Sequence, residues 1–429
     1  MLCNSPMIGQ QQDTAASKQQ RALDSLAARV AALQTRLDSI ASAAPAGAAA
    51  PAQTAPVRAS GAYMNVGFDA LTVGGWSSLR DVRPILLGDH DPKVRGFTIP
   101  NTELTLDGAV DPYFKGFSNI VFKLDENGET GVELEEAYVL TTSLPANLQF
   151  KIGQFFTEFG RQNSQHPHAW AFVDQPVVLS RMFGPDGLRS QGVRLSWLVP
   201  TPFYTEAMVT VANSTNGTTF SFRSGESSGI HGGVPVERSV AGFRDLLIVP
   251  RVSSSFDLTE TQTLLVGASG ALGPNNSGPD AQTRIFGVDG YWKWKSATAA
   301  AGFPFLSFQA EAMTRQYEAD ARPAVADPTV VLPVQTIADR GAYGQILWGI
   351  RPRIVAGLRA DVANGDDAPF ATPFRGERVR LSPNFTWYPT EFSKFRLQYN
   401  YDNRKGFGSD HSLWAQFEFI LGAHAAHRF

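Results

Sequence analysis

Apolar and polar residues alternate along most of the chain from Gly61 onward. One such segment places Phe395, Leu397, Tyr399 and Tyr401 between Lys394, Arg396, Gln398 and Asn400. A side-chain period of two is typical of a β-strand with one apolar and one polar face. The segments run to about ten residues or more and outnumber the roughly seven to nine shorter strands of a soluble sandwich. The pattern therefore favours a membrane barrel.

The alternating segments predict sixteen strands in the chain. The predicted strands start near residues 62, 97, 114, 131, 147, 189, 203, 243, 261, 282, 304, 340, 353, 376, 393 and 411. An even number of strands lets both ends of a barrel close on the periplasmic side. A barrel of this size leaves an aqueous channel rather than a packed interior.

Connections between these strands alternate between long and short. Long connections cover roughly residues 76–96, 160–189, 213–242, 272–281, 317–338, 362–374 and 402–410, and short ones lie near 111–113, 143–146, 199–202, 351–352 and 389–392. Aromatic residues gather at predicted strand ends, namely Trp76, Trp170, Trp197, Tyr204, Trp292, Trp294, Trp387 and Tyr388. Both features are typical of outer-membrane barrels. The predicted fold class is all-β, a 16-stranded antiparallel transmembrane β-barrel preceded by a short N-terminal coiled-coil helix.

The residues before Gly61 follow a different period. Apolar residues recur at spacings of three and four between residues 16 and 41, which predicts a coiled-coil oligomerisation helix. Its core positions are Leu23, Leu26, Val30, Leu33, Leu37 and Ile40. They do not decide between two and three helices. Residues 42–60 form an Ala/Pro-rich linker, which holds the helix away from the barrel predicted at 61–429.

Residues 1–15 are predicted to be a disordered N-terminus. They contain neither the charged region nor the long apolar core of a secretory signal, so we expect a truncated or processed start.

Composition narrows the class of protein. The 429 residues are 43% hydrophobic and 11% aromatic but only 18% charged, below the ~25% of a typical soluble domain. Strands with one apolar and one polar face explain this low fraction of charged residues, and they do so without a long apolar helix. The net charge of −3 argues against nucleic acid as a partner, and the single Cys argues against a disulfide framework.

Three stretches carry a more specific signal. They are GVELEEAYVLTTSLPANLQFKIGQFF at 131–156, FGRQNSQHPHAWAFVDQPVV at 159–178 and GPDGLRSQGVRLSWL at 184–198. Together they resemble the phosphate-selective porin O/P family within the outer-membrane general diffusion porins. The resemblance implies a sixteen-stranded, usually trimeric, diffusion porin. The dense Lys/Arg ladder that phosphate selectivity requires is not evident, so the resemblance supports a fold and a channel but not the solute.

The last predicted strand ends on an aromatic residue. Phe429 has the same parity as the alternating apolar residues from Leu413 to Leu421. It resembles the assembly signal of Gram-negative outer-membrane proteins, which implies recognition by the barrel-assembly machinery.

Side-chain parity assigns charged residues to the inner face of the barrel. The predicted pore-lining residues are Lys123, Lys151, Arg194, Arg359, Arg378, Arg380, Arg396, Glu103, Glu133 and Glu135, and the same register adds Arg353, Lys394, Asp69, Asp107, Asp289, Glu311 and Asp361. Bases dominate after residue 350 and acids before residue 140, which predicts a transverse field across the lumen. The alternative for each residue is a solvated polar face, and a one-residue register error would exchange the two faces.

The long segment 160–189 joins the fifth and sixth predicted strands. In general porins, by resemblance, the loop at this position folds into the barrel and narrows it. The predicted constriction-loop residues are Arg161, His166, His168, Asp174, Arg181 and Asp186. Pro167, Pro176 and Pro185 stiffen the loop.

No motif in the sequence predicts an enzyme. The nucleophile-elbow pattern at 225–229 lies in a long loop instead of the strand-to-helix turn that it requires. His166 and His168 are candidate metal ligands, as are His424 and His427, but no third ligand stands at a suggestive spacing. We therefore predict no catalytic residue, no cofactor and no resident metal.

Three functions remain open. The favoured one is passive diffusion of small hydrophilic or anionic solutes through a homotrimer in the bacterial outer membrane, with the N-terminal helix in the periplasm and with lipid and lipopolysaccharide as surroundings. A metal-linked (zinc) uptake protein would need a plug of more than about 100 residues and about 22 strands. The third is an envelope tether, in which the pore is secondary.

Overall fold

The computed structural model describes residues 57–59, 62–83, 87–125, 128–224, 228–300, 302–367 and 375–422. The predicted N-terminus 1–15, the coiled-coil helix with its core positions, residues 225–227 of the loop motif, His424, His427 and Phe429 lie outside these ranges. Within them, no helix combines the length and the apolar character that crossing a membrane requires.

Sixteen antiparallel strands form a closed barrel, in which β16 pairs with β1. The strands are β1 Ala62–Ser77, β2 Gly96–Ala109, β3 Phe114–Leu124, β4 Thr130–Thr141, β5 Leu148–Phe156, β6 Arg189–Leu198, β7 Tyr204–Asn213, β8 Leu246–Thr259, β9 Gln262–Pro274, β10 Gln282–Ala300, β11 Phe303–Ala319, β12 Gln335–Arg351, β13 Ile354–Gly365, β14 Arg378–Thr390, β15 Ser393–Arg404 and β16 Gly408–Gly422. The predicted fold class is thereby confirmed for the barrel.

Shorter elements accompany the sixteen barrel strands. Val57–Ala59 pairs with the start of β1, and Arg322–Pro323 pairs with Val331–Leu332 in the connection after β11. The helices are α1 Val177–Phe183 and α2 Ser228–His231, with 3₁₀ turns at Pro145–Asn147, Pro167–Ala169 and Phe243–Asp245.

The predicted strand starts agree with the structure within three residues, except for one. Strand β12 begins at Gln335 instead of near 340, because residues 335–339 continue the ladder with β11. The exposed Thr336 breaks the apolar alternation there, so the sequence pattern missed this end.

The barrel carries its apolar face outward. In β14, Leu381 is 43% exposed whereas its neighbour Arg380 is 2% exposed, and the same alternation runs through β15 and β16. A soluble sandwich has the opposite arrangement. The outer surface is therefore apolar, and the inner surface is built from charged and amide side chains.

Long and short connections alternate around the barrel. One side has the long connections 78–95, 157–188, 214–245, 275–281, 320–334 and 366–377 and a short one between β3 and β4, whereas the opposite side has turns at 110–113, 142–147, 199–203, 260–261, 352–353 and 391–392 and a short link between β10 and β11. The predicted long connection at 402–410 is wrong, because β15 and β16 extend until only residues 405–407 join them.

Three residues have surroundings that differ from the predicted ones, which were the aromatic girdle for Trp170 and Tyr388 and the inner wall for Arg353. Trp170 belongs to no outer girdle, since it is buried in the connection 157–188 and its ring lies edge-on to His90. Tyr388 faces a cavity inside the barrel. Arg353 lies exposed in the turn between β12 and β13 with φ 72°, so it does not line the inner wall.

Candidate functional site

The connection 157–188 between β5 and β6 folds against the inner wall of the barrel. We call this segment the inner loop. Its backbone N–H groups at Gln162 and Val173 donate to Glu311 Oε1 of β11 at 2.7 Å and to Gln398 Oε1 of β15 at 2.8 Å. These strands lie far from β5 and β6 around the barrel, so the inner loop crosses the interior.

An apolar contact holds one part of the inner loop. All seven residues of α1 are buried. Four of them, Val178, Leu179, Met182 and Phe183, pack with Phe159 and Leu188 on wall residues that include Met313 and Tyr343. Full burial of each Val, Leu, Met or Phe side chain contributes roughly 1.5–3 kcal/mol. The hydrophobic core of the barrel interior therefore lies between α1 and the wall.

Wall residues also satisfy both ends of α1. The helix has no side-chain cap of its own, and the N–H of Val177 donates to Asp361 Oδ1 at 3.0 Å. At the other end, Arg315 Nη1 donates to the carbonyl of Arg181 at 2.9 Å. A carboxylate at the N-terminus and a guanidinium at the C-terminus match the helix dipole. The barrel thus supplies the caps that the loop sequence lacks.

The carboxylate of Asp174 holds another part of the inner loop. Asp174 accepts from Arg359 at 2.6 Å, Arg380 at 2.7 Å, Gln398 at 2.8 Å and Asn400 at 3.0 Å. Burial opposes the charged carboxylate, but Arg359 and Arg380 outweigh burial and lower the pKa of Asp174. The predicted constriction residue Asp174 is therefore an ionic anchor between loop and wall.

The wall arginines predicted to line the pore are bound to carboxylates. Arg359 Nε donates to Asp361 at 2.8 Å, and both Arg378 and Arg380 bind Asp402 at 2.7 and 2.6 Å. Sequence parity recognised these bases but missed Asp402, which lay in a predicted loop. Arg359, Arg378 and Arg380 are thus each paired with an acid, so these three bases leave little uncompensated positive charge for the predicted transverse field.

The predicted Arg181 and Arg396 bind backbone groups. Arg181 of the inner loop donates to the carbonyls of Arg375 at 2.5 Å and Gly376 at 2.8 Å. Both carbonyls lie in the connection between β13 and β14, far around the barrel from β5 and β6, which the inner loop joins. Arg396 donates to Gln416 Oε1 and to the carbonyl of Trp170, both at 2.7 Å. Both guanidinium groups therefore link the inner loop to its surroundings.

On the wall of β3 to β6, lysine and arginine bind acidic partners. Lys123 binds Asp89 and Glu133, and Asp186 of the inner loop lies 3.8 Å from Lys123. Burial and the nearby Asp89 raise the pKa of Asp186 to about 6. Arg189, the first residue of β6 after the inner loop, also binds Glu133.

Two further predicted pore residues share one acid. Lys151 and Arg194 bind Glu158 Oε1 at 2.7 and 2.6 Å. Burial opposes the charged form of Glu158, but these two cations outweigh it and lower its pKa. Glu158 belongs to the inner loop, so this contact also joins loop and wall.

His166 lies between two adjacent glutamates of β4. Its Nδ1 is 2.9 Å from Glu135 Oε2, and its Nε2 is 2.8 Å from Glu136 Oε2. Burial opposes the imidazolium, but Glu135 and Glu103 outweigh it and raise the pKa of His166 well above its usual value. His168 Nδ1 lies 3.3 Å from Glu103 Oε2. Among the described residues, three groups have donor atoms close enough to share a metal ion, namely Asp69 with Glu103 and His168, Glu103 with Glu135 and His166, and Asp89 with His90 and Asp186.

Sequence parity missed Glu136. The ladder between β3 and β4 slips between Asn119 and Ile120, so that both Glu135 and Glu136 are buried on the inner side. Such a β-bulge re-aims a side chain without leaving a trace in simple alternation. The consecutive acids at 135 and 136 were the available signal.

A cavity of about 390 Å³ lies between the inner loop and the end of the barrel that bears the short turns. Arg161, Lys293 and Lys394 line it, and none of its described lining residues is Asp or Glu. The Arg161 guanidinium lies 4.1 Å from the Tyr291 ring centroid, and Lys293 Nζ lies 4.9 Å from that of Phe305. Lys293 alternates with Trp292 and Trp294 in the sequence, but we did not predict it as a pore residue.

Comparisons with known proteins show relatives at two levels. No protein-family model matches the chain. A protein of Aquifex aeolicus (strain VF5), described as uncharacterized, is 31% identical in an alignment of 359 residues that covers 78% of this chain and 70% of the relative. Among solved structures, the outer membrane channel DcaP of Acinetobacter baumannii has a TM-score of 0.54 at 14% identity, covering 86% of this chain and 100% of that chain.

The anion-selective porin from Comamonas acidovorans has a TM-score of 0.52 at 8% identity, covering 84% of this chain and 100% of that chain. At these identities the two structures show the fold alone, which is that of outer-membrane porins. The chain therefore has a porin-type barrel and belongs to the same family as the Aquifex aeolicus protein.

Proposed function

We propose that the protein is an outer-membrane channel for passive diffusion of small hydrophilic solutes, with anions favoured over cations. One observation carries the proposal: a closed barrel with an apolar exterior and a charged interior holds an inner loop across its lumen. An apolar exterior suits lipid, and a polar interior suits hydrated solutes. The outer-membrane origin of the structural neighbours supports the same location.

The outward face supplies a direct test of insertion. Leu397 lies in the middle of β15 and is exposed on the outer surface. We expect Leu397→Arg to destabilise the barrel folded in lipid vesicles by about 2–4 kcal/mol, because a charge near the bilayer midplane is poorly solvated. Val325→Arg, in an exposed connection, is the matched control and is expected to have little effect. Equal losses in both variants would contradict a lipid-facing β15.

The cavity beside the inner loop suggests the sign of selectivity. Its described lining residues include three basic side chains and no carboxylate, and aromatic rings lie beside two of these bases. A constriction with this lining attracts anions and repels cations. The likeness to a porin described as anion-selective agrees with this proposal.

Reversal potentials under a KCl gradient test the proposed selectivity. We expect the unaltered channel to prefer Cl⁻, and Arg161→Glu and Lys293→Glu each to shift the reversal potential toward K⁺, because each adds negative charge to the cavity. Arg244→Glu makes the same charge change in an exposed turn and is expected to leave the reversal potential unchanged. If all three variants behave alike, the cavity does not set selectivity.

We infer that general small anions, rather than phosphate alone, are the solutes. The wall arginines that would form a phosphate site already bind Asp174, Asp361 and Asp402. Adding phosphate during the same recordings is therefore expected to block Cl⁻ current only weakly. If the resemblance to phosphate-selective porins extended to the solute, phosphate would block the Cl⁻ current strongly.

Assembly remains a proposal drawn from the sequence. We propose a homotrimer joined by the coiled-coil helix 16–41 in the periplasm, in contact with lipid and lipopolysaccharide. The parity of Phe429 with β16 supports recognition of the last strand by the barrel-assembly machinery.

A further inference from the structure

A buried group of acidic and imidazole side chains lies where the inner loop meets β1, β2 and β4. The donor atoms of Asp69, Glu103 and His168 all lie within 4.8 Å of one another. Those of Glu103, Glu135 and His166 do the same, so the two groups share Glu103. We call these five residues the loop–wall cluster.

The spacing within the loop–wall cluster suits a shared cation. Glu103 Oε2 lies 3.3 Å from His168 Nδ1 and 3.6 Å from His166 Nδ1. Two ligands of a tetrahedral ion at about 2.0–2.2 Å lie roughly 3.3–3.6 Å apart. The separation of 3.6 Å is too long for a hydrogen bond. The two imidazoles thus lie at ligand distance around one carboxylate oxygen.

Asp69 gives an independent reason for a cation. It is 1% exposed, and within the described part of the chain neither of its side-chain oxygens has a hydrogen-bond partner. In the ladder it stands directly opposite Glu103, which is also 1% exposed. Like charges at directly opposite positions destabilise a sheet, and a buried carboxylate without a partner is costly. A bound cation would remove both costs.

Lys394 is a cation close to this site, but its described partners are Glu418 and the carbonyl of His168. Its Nζ lies 2.6 Å from Glu418 Oε2 and donates to the carbonyl of His168 at 2.6 Å. Lys394 therefore fixes the backbone at His168, and no ion pair joins it to Asp69 among the described contacts.

Groups around the loop–wall cluster orient its donors. His166 Nε2 lies 2.8 Å from Glu136 Oε2, which leaves Nδ1 facing Glu103 and Glu135. The Asn119 amide donates to Glu135 Oε2 at 2.8 Å and to Glu103 Oε2 at 3.2 Å. In metal sites, a histidine that binds the ion through one ring nitrogen commonly donates the other ring nitrogen's N–H to a carboxylate.

We propose that the loop–wall cluster binds a divalent transition-metal ion of the Zn²⁺ class, with Glu103 as the shared ligand. Imidazole and carboxylate donors suit such ions, whereas Mg²⁺ prefers oxygen donors and water. His168 lines the cavity of about 390 Å³, which gives the ion an access route. Both imidazoles belong to the inner loop and all three carboxylates belong to the wall, so the ion joins loop to wall.

Zn²⁺ binding to the purified full-length protein in detergent tests the proposal. Calorimetric titration with Zn²⁺, checked by competition with a chromophoric chelator, is expected to show binding of one or two ions. Glu103→Gln and His168→Asn are each expected to weaken it by at least the ~10–100-fold that loss of an outer-shell partner costs. His411→Ala removes an exposed histidine bound to Tyr399 and is expected to leave the affinity unchanged.

Two further readouts separate ion binding from misfolding. Heat-dependent migration in a detergent gel reports whether each variant barrel is folded. Co²⁺ gives the unaltered protein visible absorption bands of a low-symmetry site, and His168→Asn is expected to lose them while folded. The proposal is overturned if the unaltered protein binds no Zn²⁺, or if folded Glu103→Gln and His168→Asn bind it as tightly. Neither readout measures current, so this result stands apart from the proposed channel function.

Discussion

Deleting residues 163–187 is expected to raise the single-channel conductance at least about twofold, since a barrel of this size otherwise encloses an open aqueous channel. The deletion removes α1 and Asp174, which hold the inner loop to β11–β15. The two cut ends lie close together, because the side chain of Asn163, the first deleted residue, exchanges hydrogen bonds with the backbone of Leu188, the first residue kept after the deletion. Planar-bilayer recordings of purified protein measure the change.

A second deletion controls for the loss of chain length. Residues 237–240 lie at the surface of the connection between β7 and β8. Removing them is expected to leave the conductance unchanged, because they lie at the surface and their described hydrogen bond runs from Arg238 to the carbonyl of Pro279. If the larger deletion also conducts like the unaltered protein, the inner loop does not form the constriction.

Replacing Asp174 with Asn is expected to release the middle of the inner loop without unfolding the barrel. Breaking a buried ion pair by removing one partner costs about 3–5 kcal/mol. In Asp174→Asn, Arg359 still pairs with Asp361 and Arg380 still pairs with Asp402. The lost free energy therefore weakens the attachment of the inner loop rather than the barrel wall. Hydrogen–deuterium exchange of residues 170–185 is expected to accelerate at least tenfold, while exchange in β11–β15 stays slow.

Asp327→Asn makes the same chemical change in an exposed connection. Among the described residues, the Asp327 side chain bonds only Thr329, so exchange in the inner loop is expected to stay at its original rate. Equal protection of residues 170–185 in Asp174→Asn and the unaltered protein would show that α1 alone holds the loop. Current recordings of Asp174→Asn are expected to show more frequent transitions between conductance levels.

The barrel could be predicted because its signal is local. Each strand carries its own alternation, so residues such as Leu397 and Arg396 identify their faces from neighbours two positions away. Alternation fails where the backbone breaks the period. The bulge in β4 turns Glu136 inward, and Trp170 lies in the inner loop, where strand parity has no meaning.

The contacts of the inner loop could not be predicted for a different reason. Asp174 and Arg359 are 185 positions apart, and nothing near either residue specifies the other. His166 and His168 showed no third ligand in the sequence because Asp69, Glu103 and Glu135 lie on β1, β2 and β4, which meet the inner loop only in the folded barrel. The sequence showed which side chains face inward, but not which of them pair.

The order in which the chain is made has a consequence for the inner loop. Its anchors on Gln398, Arg380 and Arg359 lie 185 to 225 residues further along the chain. Contacts of such long sequence separation form late in folding. The loop therefore reaches its final place only after the last strands have joined, and a barrel still under assembly has a wider interior than the finished protein.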